Sequence, residues 1–173
     1  MKLEARDTIH APALEVFSLL RDRLTEIVPH MPNIDRIEIQ KREPGNPITH
    51  VIAVWHAKAE IPEVAKKFLK PEYLAWRDDA RWNETDLSVD YILEPPSNVK
   101  LYSVKGRNRL VDDGTGRSVL HVSCDVNIYP EKLPGLPSFM ARLVKKPVEE
   151  TIRLMLEPNL KNLAKGLNSY FKK

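Results

Sequence analysis

The sequence predicts an α+β fold in which an antiparallel sheet is closed by one long C-terminal helix. The first observation is an apolar stripe that keeps helical phase over the last 35 or so residues. It runs Met140, Val144, Val148, Ile152, Met155, Leu156, Leu160, Leu163, Leu167, Tyr170 and Phe171, in steps of three or four residues or to the adjacent position. The second is that almost everything before it alternates with the period of two that belongs to half-buried strands. A sheet that buries so long a stripe has to curve around it, and a curved sheet under a helix tends to enclose a cavity.

Residues 2–9 form the first strand, with Leu3, Ala5 and Ile9 on one side and Lys2, Glu4, Arg6 and Thr8 on the other. Asp7 falls on the apolar side. Pro12 is placed for the first turn of a helix. Val16, Phe17, Leu20, Leu24, Ile27 and Val28 continue that helix until Pro29 stops it. A second strand covers about 34–42, with Ile37 and Ile39 on one face, and Glu43-Pro44-Gly45-Asn46-Pro47 makes a turn. The third strand, 48–59, aligns Val51, Ala53, Trp55, Ala57 and Ala59. Residues 62–71 read as a short helical or irregular excursion carrying Val64, Phe68 and Leu69.

The fourth strand, about 73–83, places Trp76, Asp78, Ala80 and Trp82 in register, and the fifth aligns Leu87, Val89, Tyr91 and Leu93. The sixth, 99–111, changes parity between Val99/Leu101 and Tyr102/Val104/Leu110, which predicts a bulge or bend near Lys100–Tyr102. Asp112-Asp113-Gly114-Thr115-Gly116 is a hairpin turn. The seventh strand groups Leu120, Val122, Cys124, Val126 and Ile128, and a Pro-rich link from Pro130 to Pro137 leads into the helix. Pro147 and Pro158 each remove a backbone donor, which predicts a short helix near 138–146, then one from Pro147 to about 171 kinked at Pro158.

A chain of 173 residues with 42% hydrophobic and 29% charged residues is one globular domain, 1–173, large enough to bury a core. A net charge of +3 does not point to nucleic acid, and no nucleic-acid partner is expected. The charge is uneven: residues 133–173 hold eight Lys/Arg against three Glu. A basic amphipathic helix fits weak contact with a membrane surface. It fits better a solvated outer face braced by Glu149–Arg153 and Glu157–Lys161 pairs. The single Cys124 excludes an internal disulfide. Met1–Asp7 lacks the apolar core of a secretory signal, and the protein is expected to be cytoplasmic.

Ile9-His10-Ala11-Pro12-Ala13-Leu14-Glu15-Val16-Phe17-Ser18-Leu19-Leu20-Arg21-Asp22 resembles the entry of START-like (SRPBCC, helix-grip) proteins, the superfamily of pollen allergens and polyketide cyclases. Val144 to Leu167, with Pro-Val-Glu-Glu-Thr and Asn-Leu-Lys-Asn-Leu-Ala at its centre, is similar to their closing helix, and Ile61 to Trp82 is similar to an excursion of bacterial branches. The resemblance spans nearly the whole chain. It implies about seven antiparallel strands gripping the last helix, with a cavity for a lipid, sterol or aromatic molecule between them. Some members catalyse cyclisation or hydrolysis in that cavity, but no shared catalytic motif exists to carry over.

Direct inspection for chemistry agrees. His10, His30, His50, His56 and His121 form no metal-ligand spacing, and neither metal nor cofactor is expected. His121 and Cys124 fall on opposite faces of one strand, so they cannot act as base and nucleophile, and Cys124 reads as a small buried hydrophobe. Gly114-Thr115-Gly116 is a turn, not a phosphate cradle, since no helix follows. The inward polar set is Asp7, Asp78, Tyr91, Tyr102 and Asn108, each of which needs a partner, a water or a ligand; a one-residue parity error would instead turn them to solvent. The predicted cavity wall is Trp55, Trp76, Tyr91, Asn108, Met140, Ile152, Met155 and Leu156. Aromatic and Met side chains at these positions serve equally as core. The expected function is binding or transport of a hydrophobic small molecule. The alternatives are a cyclase/aromatase-type enzyme using cavity Asp, Tyr or Asn, and a membrane-surface or protein-interaction module. Oligomeric state is not encoded in any legible feature.

Overall fold

A computed structural model describes residues 1–58, 74–98, 100–132, 134–135 and 137–172, without the side chains of 138, 144, 147–148 and 150–159. The excursion at 62–71, with Val64, Phe68 and Leu69, lies outside the described residues. So do Val99 and the side chains of Ile152, Met155, Leu156, Arg153 and Glu157.

The strands are β1 (Lys2–Ile9), β2 (Ile34–Glu43), β3 (Ile48–Ala57), β4 (Ala75–Asn83), β5 (Ser88–Glu94), β6 (Tyr102–Asp112) and β7 (Ser118–Ile128). Helix α1 (Ala13–Asp22) and a 3-10 segment (Leu24–His30) separate β1 from β2, and helix α2 (Ser138–Phe171) closes the chain. All seven strands pair antiparallel in one sheet of order β1-β7-β6-β5-β4-β3-β2, so the sheet is open, with β1 and β2 at its edges. Register shifts in β2 at Ile34/Arg36 and Ile39/Lys41 break the regularity of one edge, a common protection against strand addition.

Three expectations are corrected. The first helix ends at Asp22, where Arg23 leaves helical geometry, and the apolar set continues through Leu24 and Ile27 in the tighter 3-10 turns, which contain Pro29. The parity change near Lys100–Tyr102 is a strand boundary and not a bulge: β6 begins at Tyr102, and from there its inward set is regular. Finally, α2 is one helix of 34 residues that runs through both prolines, so the predicted division at Pro147 does not occur. Each proline removes one bond from a ladder of many, and packing of the helix elsewhere outweighs that loss.

The core lies where α1, the 3-10 segment and the end of α2 meet the concave face. Ile9, Val16, Phe17, Leu19, Ile27 and Leu167 are fully buried there. The Phe17 ring meets Trp82 edge-on at 5.5 Å. The N-terminus of α1 has no cap of its own; Asp112 Oδ1, at the end of β6, accepts from Ala13 N at 2.7 Å and supplies one. At the other end Asn168 ties α2 to the sheet: its Oδ1 accepts from His10 N at 2.8 Å and its Nδ2 donates to Thr8 O at 2.9 Å. Gly166 permits close approach, since a Cβ there would stand 2.8 Å from Met31 Cγ and 3.2 Å from His30 O. Leu167→Ala removes a fully buried side chain from this junction and is expected to cost about 3 kcal/mol in denaturant unfolding; a loss below about 1 kcal/mol would show that the helix end is not a keystone of the core.

Candidate functional site

Antiparallel pairing sets the inward residues in three rows across the sheet. One row is Ala53–Asp78–Leu93–Val104–Val126, the next Val51–Ala80–Tyr91–Gly106–Cys124–Leu3, and the third Thr49–Trp82–Val89–Asn108–Val122–Ala5. Asp78, Tyr91 and Asn108 therefore face the concave side, as the alternation predicts. Trp55 pairs with Trp76 one step beyond the Asp78 row, and the two indoles stack at 5.8 Å and 17°. Tyr102 and Asp7 share this face; the Tyr102 hydroxyl donates to Ala75 O at 3.4 Å.

The apolar residues of the concave face form two clusters. One holds the α1 end of the sheet; the other holds Leu3, Val104, Cys124, Val126 and Ile128. Half-buried Tyr91 and Leu160 pack against both. Around this junction Trp55, Trp76, Asp78, Leu93 and Asn108 are only half-buried, whereas the third-row neighbours Trp82, Val89 and Val122 are buried.

The position of Tyr91 depends on Gly106, its direct cross-strand neighbour. A Cβ on Gly106 would stand 2.3 Å from the Tyr91 Cζ and hydroxyl, so the ring lies flat across the glycine toward Cys124. A lone glycine inside an alternating strand is the available sequence signal for such an approach. Burial pushes the Tyr91 phenol well above the usual tyrosine range, with Cys124 and Asp78 adding to the rise. Burial likewise raises Tyr102, and it raises the Cys124 thiol, so Cys124 is not an activated nucleophile.

Asp78 is the electrostatic centre of this face. Burial pushes its carboxyl up to about 7; the indole N–H of Trp55 is the strongest opposing influence, Asp79 raises it further and Arg77 lowers it. Even so, no well-formed hydrogen bond joins the two, and among the described residues Trp55 Nε1 and Asp78 Oδ1 are buried without a hydrogen-bond partner. Asn108 Oδ1 is in the same condition. Asp78 and Asn108 are separated by four residues along the strand direction, about 13 Å, and by two strands across, about 10 Å, so they mark two ends of the face rather than one point.

The predicted helix wall is less fully placed. Met140 is 38% exposed at the start of α2, beside Phe139 and Leu143. The side chains of Ile152, Met155 and Leu156 lie outside the described residues. The histidines stand elsewhere. His50 bridges Asp79 (2.7 Å) and Glu43 (3.2 Å) on the convex face, a cluster that sequence reading missed because it spans three strands. His121 and Cys124 do fall on opposite faces, pairing with Arg6 and Leu3 respectively. Among the described residues, no three His, Cys, Asp or Glu side chains are placed to hold a metal ion.

Among solved structures, the chain is similar to the Zhui aromatase/cyclase from Streptomyces sp. R1128, at 16% identity and a TM-score of 0.66, covering 98% of this chain and 92% of that one. The chain has the START-like, helix-grip fold. A START superfamily protein from Mycobacterium smegmatis matches with a TM-score of 0.51 and 17% identity over 97% of this chain and 94% of that one. Norcoclaurine synthase from Thalictrum flavum matches with a TM-score of 0.59 and 12% identity over 98% of this chain and 84% of that one, and has also been solved in complex with dopamine and hydroxybenzaldehyde. No protein-family model and no curated protein matches the sequence.

Two tests follow from this geometry. Gly106→Ala is expected to destabilise by about 1–3 kcal/mol through its clash with the Tyr91 ring. In a Tyr91→Ala background that cost should disappear, and an unchanged cost would place the strain elsewhere. Asp78 carries its proton to higher pH in the folded chain than in the unfolded one, so the folded state binds more protons between about 4 and 7. The contribution of Asp78 to stability is therefore fully present below its unfolded pKa and is lost as pH rises through about 7. Relative to Asp78→Asn, the parent should lose up to about 4 kcal/mol across that window. Parallel stability–pH curves for the two proteins would overturn the assignment.

Proposed function

We propose that residues 1–173 form one binding domain for a hydrophobic small molecule bearing a single polar group, held between the concave face and α2. The observation that carries this reading is the pair of buried atoms Trp55 Nε1 and Asp78 Oδ1, without hydrogen-bond partners among the described residues, beside the Trp55–Trp76 stack. An unpaired buried polar group costs about 1–3 kcal/mol, which a ligand can recover. A hydroxyl suits this site because it accepts from the indole N–H and donates to the carboxyl in one group. The rest of the molecule would lie along Trp76, Tyr91 and Leu93, toward Asn108 at the far end, with Ile152, Met155 and Leu156 of α2 as the opposing wall. Complexes of the same fold support the reading: norcoclaurine synthase has been solved with two small aromatic molecules.

A second reading, chemistry of the aromatase/cyclase kind, is favoured by one observation. A carboxyl pushed up to about 7 can both give and take a proton near neutral pH. In that case Asp78 moves a proton at an enolisable carbon while Trp55 Nε1 donates to the adjacent carbonyl oxygen.

Native mass spectrometry of the purified protein tests for a retained ligand, and naphthol against naphthalene tests its anchoring. Trp55→Phe keeps the ring and removes the donor, so naphthol affinity should fall about tenfold while naphthalene affinity holds. Failure of the parent to bind either probe would overturn the binding reading, and equal affinities in parent and variant would overturn the polar anchor. Turnover of a polyketide substrate that vanishes in Asp78→Asn, at unchanged affinity, would establish the enzymatic reading instead.

A further inference from the structure

The first two turns of α2 carry a feature that ligand binding does not use. Phe139 is 74% exposed, Leu143 72% and Met140 38%. The other large exposed apolar side chains, Leu14, Ile48, Ile92 and Val111, are scattered over α1, β3, β5 and β6, as single surface residues commonly are. Phe139, Met140 and Leu143 instead share one side of the helix by their spacing, while buried Ala141 seats the opposite side on the body of the protein. Arg142, Lys145 and Lys146 are all exposed; by helical spacing Arg142 and Lys146 flank the apolar side, whereas Lys145 falls on the side of Ala141.

Seven arginines elsewhere are tied to acids, among them Arg36 to Glu38 and Asp35, Arg107 to Asp86 and Asp90, and Arg21 to Asp22 and Glu84, while Arg6, Arg81 and Arg109 form no ion pair among the described residues. Arg142, Lys145 and Lys146 form no ion pair among the described residues. The first turn of α2 holds no acidic residue and Pro137 provides no side-chain cap, so the positive helix end adds to the same field.

We infer that this helix start docks on an anionic lipid surface, with Phe139, Met140 and Leu143 entering the headgroup–acyl boundary and Arg142 and Lys146 resting on the headgroups. An exposed apolar strip with flanking Lys and Arg is the pattern of helices that lie in a membrane interface. A protein partner fits less well. Lysine is depleted from protein interfaces, and three apolar side chains fall far short of the roughly 800 Å² that a stable partner covers. A bilayer demands no such complementary area. No described helix is long and apolar enough to cross a membrane, so the contact is peripheral.

The test is co-sedimentation of the full chain with phosphatidylcholine vesicles, with and without phosphatidylglycerol. The parent should partition onto the anionic vesicles at low salt and leave them at high salt, because screening weakens contacts with exposed charges. Phe139→Asp combined with Leu143→Asp should reduce partitioning about tenfold or more, and the double change Arg142→Glu, Lys146→Glu should remove the preference for phosphatidylglycerol. All four side chains are exposed, so unchanged thermal unfolding in each variant confirms that folding is intact. A parent that ignores anionic vesicles, or variants that partition like the parent, would overturn the inference. So would a parent dimer in sedimentation equilibrium that Phe139→Asp/Leu143→Asp dissociates, since the patch would then be a self-interface. Naphthol binding in the two variants reports on the ligand site separately.

Discussion

The seat of the C-terminal turns of α2 on β1 and the 3-10 segment is the constraint on which the rest depends. An open sheet has no closure of its own to protect its concave face, so a helix must cover it. Leu167 supplies the buried apolar contact, Gly166 removes the side chain that would hold the layers apart, and Asn168 pairs with the backbone of Thr8 and His10. Tyr170 adds a bond to Glu26 at 2.5 Å. These contacts draw on β1, the turn before α1 and the 3-10 segment at once. They fix the helix against one end of the sheet.

Polarity is distributed over the two faces in opposite ways. On the convex face, charge is abundant and locally matched: Arg107 meets Asp86, Asp90 and Ser88, and His50 meets Asp79 and Glu43. Such exposed pairs contribute little individually. The concave face carries few polar groups, and among the described residues four of its buried atoms, Trp55 Nε1, Asp78 Oδ1, Asn108 Oδ1 and Ser118 Oγ, have no hydrogen-bond partner. In a low-dielectric setting an unsatisfied group is more expensive than a satisfied surface pair is favourable. Selection for stability alone would replace Asp78 with an apolar residue, so its presence argues for use.

The strands and their faces are legible in the sequence because a period of two is a local property. Once one residue of β4 or β5 is known to point inward, Asp78 and Tyr91 follow. Helical phase in α2 is legible for the same reason. The end of α1 is not, because Leu24 and Ile27 satisfy helical and 3-10 spacing almost equally, and the outcome rests on Arg23 geometry. Nor are the helix prolines decisive, since a long packed helix tolerates the missing bonds. Of the site, membership of the concave face can be read, but the neighbours cannot. That Trp55 acts on Asp78, and that Tyr91 lies across Gly106, depends on cross-strand register, which a single sequence does not encode. Met140 shows the limit of the stripe: correct helical phase places it on a face, yet at the helix start its side chain is 38% exposed.

Asp78 also couples binding to stability in a way that distinguishes the readings of this site. Above about pH 7 the folded chain holds a buried carboxylate that Trp55 and Arg77 favour. A ligand hydroxyl that donates to Asp78 favours the charged form and so draws its pKa down. Linkage then requires that such a ligand stabilise the protein more as pH rises through the Asp78 titration. A ligand that buries apolar area without reaching Asp78 instead deepens its desolvation, pushes the pKa higher and stabilises the protein more at low pH. The sign of that pH dependence therefore reports whether a bound molecule engages the carboxyl, whatever the identity of the molecule.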